Sequence, residues 1–183
     1  MSLPIAAGDW ALDPAHSVVS FRVRHLGIST VRGRFGQVEA MLTVGDDLAR
    51  TSLSATVDMS SVDTGNADRD GHLRSTDIFD AESNPAMVFR STAIDDAGDG
   101  AFRVTGDLTI NGHTQSETFD ARFAGTETFP MDGSTRAGFE ASATIDRSAY
   151  GIDFNVPLAS GGAMLSNDVD IALDAQLVGP ATG

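Results

Sequence analysis

The strongest constraint on this chain is an alternation of apolar and polar side chains that returns from one end to the other. Successive side chains of a strand point to opposite faces, so period-2 alternation marks a strand with one buried and one wet face. Val19, Phe21 and Val23 alternate with Ser20, Arg22 and Arg24; Val38, Ala40, Leu42 and Val44 alternate with Glu39, Met41 and Thr43; Leu53, Ala55 and Val57 follow. Met87 and Phe89 alternate with Val88 and Arg90, and Phe102, Val104, Gly106, Leu108 and Ile110 with Arg103, Thr105, Asp107 and Thr109. Three further segments complete the series: Phe119, Ala121 and Phe123; Phe139, Ala141, Ala143 and Ile145; and Val169, Ile171, Leu173, Ala175 and Leu177.

Turn residues separate these runs at 45–47, 95–100, 111–112 and 130–133. Asn111-Gly112 is the sharpest hairpin signal, since both residues tolerate the positive φ of a type I′ turn. Only residues 60–84 break the rhythm, and 66–76 could form one or two helical turns there with Leu73 packing inward. The class is therefore all-β, with eight strands and a short helical segment between strands three and four. Closing such a sheet removes its edges, which favours an antiparallel barrel; a β-sandwich is the alternative. Small residues on the inward register (Ala40, Ala55, Gly106, Ala121, Ala141, Ala143 and Ala175) point to space inside, although the ten phenylalanines could fill it.

The composition narrows the function. At 183 residues, folding as one domain can bury roughly 70% of the surface of the unfolded chain. Cysteine is absent, which excludes disulfides, thiolate metal sites and thiol nucleophiles. The cations are 12 arginines and no lysine, against 26 acids of which 21 are aspartate, for a net charge of −14. Such a surface repels phosphate backbones, so no nucleic-acid partner is expected. The first ten residues have no cationic stretch and no apolar run of signal-peptide length, and no apolar stretch approaches the roughly 20 residues of a spanning helix. A soluble cytoplasmic protein without stable membrane insertion is the expectation.

Catalytic signatures are missing: no serine elbow, Walker A loop, dinucleotide fingerprint or His-Glu-x-x-His occurs. His16, His25, His72 and His113 are scattered, and lone histidines are more often structural than metal ligands. Asn66, Asp68, Asp70 and Asp77 imitate the spacing of a calcium loop around Gly71, but Asn opens it, Asp closes it and no amphipathic helices flank it. The competing account puts Asp68 and Asp70 in the first turn of a short helix, where acids complement the dipole. Neither a metal nor a catalytic group is expected. Arg22, Arg24, Arg32 and Arg34 form the one cationic cluster, on one face of two successive strands, either as a salt-bridged surface or as a landing site for an anionic head group.

One series of segments comprises Trp10-Ala11-Leu12-Asp13-Pro14-Ala15-His16-Ser17 with Val19 to His25, Gly33-Arg34-Phe35, and Ser61-Val62-Asp63-Thr64-Gly65-Asn66. Arg69-Asp70-Gly71-His72-Leu73-Arg74-Ser75, Asp80, Asn84-Pro85, Phe89 and Gly106 to Gly112 continue it. In their order these segments together resemble the YceI-like family of polyisoprenoid-binding proteins. Where the family often has two adjacent phenylalanines, this chain has Ile78-Phe79, and many relatives carry a secretory signal.

The resemblance implies a lipocalin-like closed eight-stranded barrel spanning 1–183 as a single domain, with 1–8 and 179–183 as loose termini. It also implies a non-enzymatic function: holding a polyisoprenoid or isoprenoid-quinone lipid as carrier or store. It leaves room for a homodimer and for no cofactor beyond the bound lipid or quinone. The apolar register then supplies the ligand-binding residues, Phe21, Val23, Val38, Leu42, Phe89, Val104, Leu108, Phe119, Phe139, Ile171 and Leu173. Two other functions stay open: a structural or protein-interaction barrel with a filled core, and an enzyme acting on an isoprenoid.

Overall fold

Wherever the alternation runs, the backbone is extended and paired. The computed structural model describes residues 2–180. Its strands are β1 (Gly8–Leu12), β2 (Val18–His25), β3 (Ser29–Phe35), β4 (Val38–Val44), β5 (Ser52–Asp58) and β6 (Val62–Asp63), then β7 (Ala86–Gly98), β8 (Ala101–Ile110), β9 (His113–Thr128), β10 (Thr135–Asp146) and β11 (Leu165–Val178). One helix, α1 (Ala67–Arg74), lies between β6 and β7.

Every neighbouring pair is antiparallel, and the ring β1-β4-β5-β7-β8-β9-β10-β11 closes where Ala11 and Leu12 of β1 pair with Val178 and Leu177 of β11. The open choice between sandwich and barrel is thereby resolved as a closed eight-stranded barrel. From the remaining edge of β11 extend β2, β3 and β6. These are not extra walls, because each continues a strand of the ring. β1 runs into β2 through a single 3-10 turn at Pro14–His16, β3 into β4 across two residues, and β5 into β6 through a second 3-10 turn at Met59–Ser61.

The interruptions are stitched by hydrogen bonds. Asp13 N–H donates to Gln176 O at 2.8 Å, and Gln176 N–H donates to Ser17 Oγ at 3.0 Å, so the serine stands in for a missing ladder carbonyl. At the other two breaks, which lie side by side, Gly36 N–H donates to Ser61 O at 3.1 Å and Asp58 N–H to Gln37 O at 3.0 Å. Each 3-10 turn starts with an aspartate whose carboxylate accepts a backbone N–H two residues on, Ala15 for Asp13 and Ser60 for Asp58.

The expected position of the helix between strands three and four is corrected: it follows the sixth strand, β6. β1, β3 and β6 carry too little alternation to mark a strand from sequence, and these three precede the helix. Asn66 caps α1, accepting from Arg69 N–H at 3.0 Å, and Asp70 turns inward to accept from Thr64 N–H at 2.9 Å and Thr64 Oγ1 at 2.6 Å. The residues that imitate a calcium loop are thus a helix start and its tether. The Asn111-Gly112 hairpin joins β8 to β9 with φ of 51° and 74°, both positive as type I′ geometry demands.

Within the segments expected to be loose termini, Leu3 is buried, and Gly179 N–H donates to Thr135 O at 2.8 Å. Residues 1 and 181–183 of that expectation lie outside the described residues.

Two apolar clusters line the interior. One, at the end of β1, gathers Leu3, Trp10, Leu42, Val44, Phe102, Ala137 and Leu177. The larger one runs from the middle of the barrel to the end covered by α1, and includes Val19, Phe35, Met59, Phe89, Leu108, Phe119, Tyr150 and Ile171.

Candidate ligand-binding site

The inward register of the strands surrounds two unfilled spaces rather than one packed core. The larger is a cavity of about 160 Å³ whose wall includes Leu42, Phe89, Val104, Leu108 and Phe139; Ser17 and Asp174 are its polar members. The smaller, about 120 Å³, lies toward α1 among Phe21, Val23, Phe35, Leu73, Phe79 and Phe154, with Ser20 and Arg147 as its polar members. Val19, Met87 and Ile171 belong to both walls, so the two spaces meet at these three side chains.

Each of the eleven residues expected to contact a ligand borders one of these spaces. Val38, Leu42, Phe89, Val104, Leu108, Phe119, Phe139 and Leu173 face the larger, Phe21 and Val23 the smaller, and Ile171 both. Alternation accounts for this, because a strand in a closed barrel has one inner face. The same face also supplies Val19, Leu53, Val57, Met87 and Phe102, which sequence reasoning did not put forward although their register is the same.

Part of the smaller cavity was not legible in the alternation, although Ile110, Ile145 and Val169 follow it. Ile78, Phe79, Ile152 and Phe154 come from irregular segments beside α1 and after β10, where no period exists to read. His72 of α1 meets the Phe154 ring edge-on, centroids 4.7 Å apart, which joins those two segments over the barrel end.

Phenylalanine fills part of the space that small inward residues leave. A Cβ on Gly106 would lie 2.6 Å from Phe89 Cζ, and one on Gly33 would collide with the Phe21 ring. Each ring therefore lies across the backbone of the next strand, a stacking that only glycine admits. Phe89 in turn meets Phe119 at 5.3 Å and Phe21 meets Phe35 at 5.6 Å. Two spaces remain despite these contacts.

Polar chemistry is concentrated at the rims. Asp13, at the β1–β2 turn, accepts from Arg136 Nη1 at 2.6 Å and lies 2.9 Å from His16 Nδ1. The bond with His16, then the Ala15 N–H and Arg136, hold its carboxyl below the usual range against the opposing effect of burial. Tyr150 is fully buried and donates to Glu117 Oε1 at 2.7 Å; burial first, then that carboxylate, push its phenol far above the usual tyrosine range.

Of the cationic cluster, Arg22 pairs with Asp170 at 3.4 Å and Arg34 with Asp63 at 3.0 Å, both on the exposed face. Arg24 donates to Gly27 O and Thr30 Oγ1.

A family model described as the YceI-like domain matches residues 10–177. The chain belongs to the YceI-like family. Its relatives include a UPF0312 protein of Staphylococcus epidermidis, 43% identical over 166 residues, which covers 90% of this chain and 94% of the relative. A UPF0312 protein of Staphylococcus aureus is 38% identical over 170 residues, covering 92% and 96%.

Among solved structures this YceI-like barrel is similar to BcnA of Burkholderia cenocepacia, with a TM-score of 0.78, 26% identity, and coverage of 92% of this chain and 99% of that one. It is also similar to the YceI protein of Campylobacter jejuni, with a TM-score of 0.72, 28% identity, and coverage of 86% and 90%. A polyisoprenoid binding domain from Saccharophagus degradans, implicated in plant cell wall breakdown, shares the fold at a TM-score of 0.67 and 16% identity, over 93% of this chain and 98% of that one.

Proposed function

We propose that this YceI-like barrel binds an isoprenoid or isoprenoid-quinone lipid in its interior and serves as a carrier or store for it, not as an enzyme. The observation that carries the reading is the pair of adjoining cavities with almost wholly hydrocarbon walls. A family member's fold and the description of one structural neighbour as a polyisoprenoid binding domain are consistent with it.

The volumes set the scale of the ligand. A dry apolar cavity of about 150 Å³ takes one benzene ring. Spaces of about 160 and 120 Å³ each match on the order of one isoprene unit. Together they accommodate a short run of isoprene units once the side chains at their junction give way, and a longer chain must project from the barrel. Removing apolar surface from water contributes about 25 cal/mol per Å², so a few buried units support micromolar binding after the costs of association.

The test is mass spectrometry of an organic extract of protein purified without detergent. Isoprenoid near one molecule per chain is the expected result. An empty extract, repeated after incubation with quinones and polyprenyl phosphates, overturns the reading in favour of a filled interaction module.

A further inference from the structure

The acids of this chain are spread unevenly. Although 26 of its 183 residues are acidic, none stands between Asp13 and Glu39. That stretch contains the whole β2–β3 hairpin, whose exposed face carries Arg22, Arg24, Arg32 and Arg34. Arg22 and Arg32 stand directly opposite each other across the ladder, a like-charge placement that weakens strand pairing. Asp170 and Asp63 of neighbouring strands take Arg22 and Arg34. Arg24 and Arg32 form no ion pair among the described residues. Arg24 braces the hairpin tip instead, donating to Gly27 O at 2.8 Å and Thr30 Oγ1 at 3.3 Å.

The tip itself is apolar where a turn is normally polar. Leu26 and Gly27 both have positive φ, 55° and 70°. The β8–β9 turn, at the same end of the barrel, meets that demand with Asn111-Gly112, and asparagine is at ease there, whereas leucine is strained. Leu26 is exposed despite the strain, and Ile28 beside it is 81% exposed, so neither the turn nor the core calls for these side chains. Leu26 N–H donates to Met164 O at 2.7 Å and Met164 N–H to Val156 O at 2.8 Å, which ties a third exposed apolar residue, Val156, to the tip. From Phe154 to Ser166 this second segment has no charged residue. Both segments root in the wall of the smaller cavity, through Val23 on one side and Phe154 and Leu165 on the other. At the same end α1 adds Asp68 and Asp70 with Arg69 and Arg74, so the apolar, cationic surface is confined to the hairpin and its neighbouring loop.

Exposed apolar side chains flanked by unpaired cations are complementary to a bilayer surface with anionic head groups, where the apolar groups enter the interfacial layer and arginine meets phosphate. A second copy laid tip to tip about a two-fold axis would set arginines against arginines. We propose that the β2–β3 tip and residues 155–164 dock this barrel reversibly on a membrane containing anionic phospholipid, with Leu26, Ile28 and Val156 in the interfacial layer and Arg24 and Arg32 on lipid phosphates. The smaller-cavity end of the lumen then faces the bilayer. Acids elsewhere on the barrel oppose this weakly, because physiological salt screens charges over about 8 Å. The docking goes beyond the proposed ligand binding and does not rest on it, since it is read on vesicles without regard to what the lumen holds.

The experiment is sedimentation of the protein with vesicles of phosphatidylcholine alone and of phosphatidylcholine mixed equally with phosphatidylglycerol. The wild type should partition at least about 10-fold more strongly onto the anionic vesicles, each arginine near such a surface being worth about 5-fold. Arg32→Gln, which breaks no hydrogen bond or ion pair of the described residues, should lose about 5-fold there. Ile28→Ser should lose about 10-fold. Met131, 83% exposed on the β9–β10 turn at the other end, supplies the control, and Met131→Ser should bind as the wild type does. The emission of Ile28→Trp should shift to the blue on the anionic vesicles.

Absence of binding, equal binding to both kinds of vesicle, or an equal loss in Met131→Ser overturns the proposal. So does an Ile28→Trp emission that stays in place on bound protein. A wild-type dimer that Ile28→Ser converts to monomer, with no vesicle binding, also overturns it and assigns the face to a second copy. Each of these results leaves the ligand reading standing, and an empty lipid extract leaves the docking standing.

Discussion

Met87 lies where the two cavities meet, is 7% exposed, and with Val19 and Ile171 borders both, so its side chain is one of three that separate them, and the one unbranched member. Methionine is unbranched and adapts its rotamer readily, but turning it well away from a staggered rotamer costs about 0.5–1.5 kcal/mol. A tail short enough for one cavity never meets this cost; a tail that spans both does. Met87→Ala removes the adaptable member of this junction and leaves Val19 and Ile171 in place. Without ligand the variant should be less stable by about 2–5 kcal/mol, the range for such core truncations. At ~2–4 °C per kcal/mol for a chain of this size, its melting temperature should drop by about 4–20 °C.

Ligand binding should change in the opposite sense and depend on tail length. Prenol, geraniol and farnesol, each one isoprene unit longer than the last, can be compared by calorimetric titration. Prenol should bind wild type and variant alike, while the two longer alcohols should gain roughly 2–10-fold in the variant, the avoided rotamer cost expressed as affinity. A variant that melts cooperatively yet keeps the wild-type dependence on tail length refutes the idea that Met87 divides a continuous lumen.

Other positions give sharper single outcomes. Leu108, 2% exposed on the wall of the larger cavity, should abolish lipid uptake when replaced by arginine; unchanged uptake by a folded Leu108→Arg protein would remove that face from the site. Asp13 has a depressed pKa in the folded state, so its contribution to stability is complete above the ordinary aspartate pKa of about 3.9 and is lost as pH falls through the folded value. Asp13→Asn should therefore flatten the acid limb of stability against pH, measured by urea denaturation, and a limb as steep as wild type would count against the pairing of Asp13 with His16 and Arg136. The chain has a single tyrosine, Tyr150, whose pKa is raised, so stability is complete below about 10 and falls as pH rises above it. Tyrosinate absorbance should stay absent until the protein unfolds in alkali; titration near pH 10 with the fold intact would contradict the buried bond to Glu117.

The barrel wall was legible because one physical rule, alternation against a buried face, writes itself into consecutive residues. Phe119, Ala121 and Phe123 could be read as one inner row before any coordinates. The breaks in the long strands were harder, since Asp13 and Asp58 act there through local backbone hydrogen bonds that any aspartate in a loop could make. The question of a hollow or filled interior turned on pairs distant in sequence: Gly106 is small because the Arg90 carbonyl and the Phe89 ring of the neighbouring strand both lie against it. Arg147 gave no signal at all. Its surroundings are assembled from Ile152, Phe154 and Ser166, and nothing in the string Asp146-Arg147-Ser148 distinguishes it from the arginines on the surface.

The interrupted strands make the wall unequal around its circumference. From β7 to β11 the strands run unbroken and long, a stiff half-cylinder whose ladders shift register only at bulges near Ser91, Asp96 and Gly138. On the other side β1 and β2, β3 and β4, and β5 and β6 are jointed, each joint bridged by a few hydrogen bonds that involve Ser17, Gly36, Gln37 and Asp58. Backbone changes concentrate at the ends of elements, where few ladder bonds oppose them. Widening the lumen to admit a thicker guest is then a matter of swinging jointed staves against a rigid back, and the girth of the tube can change while the ladders between β7 and β11 stay whole.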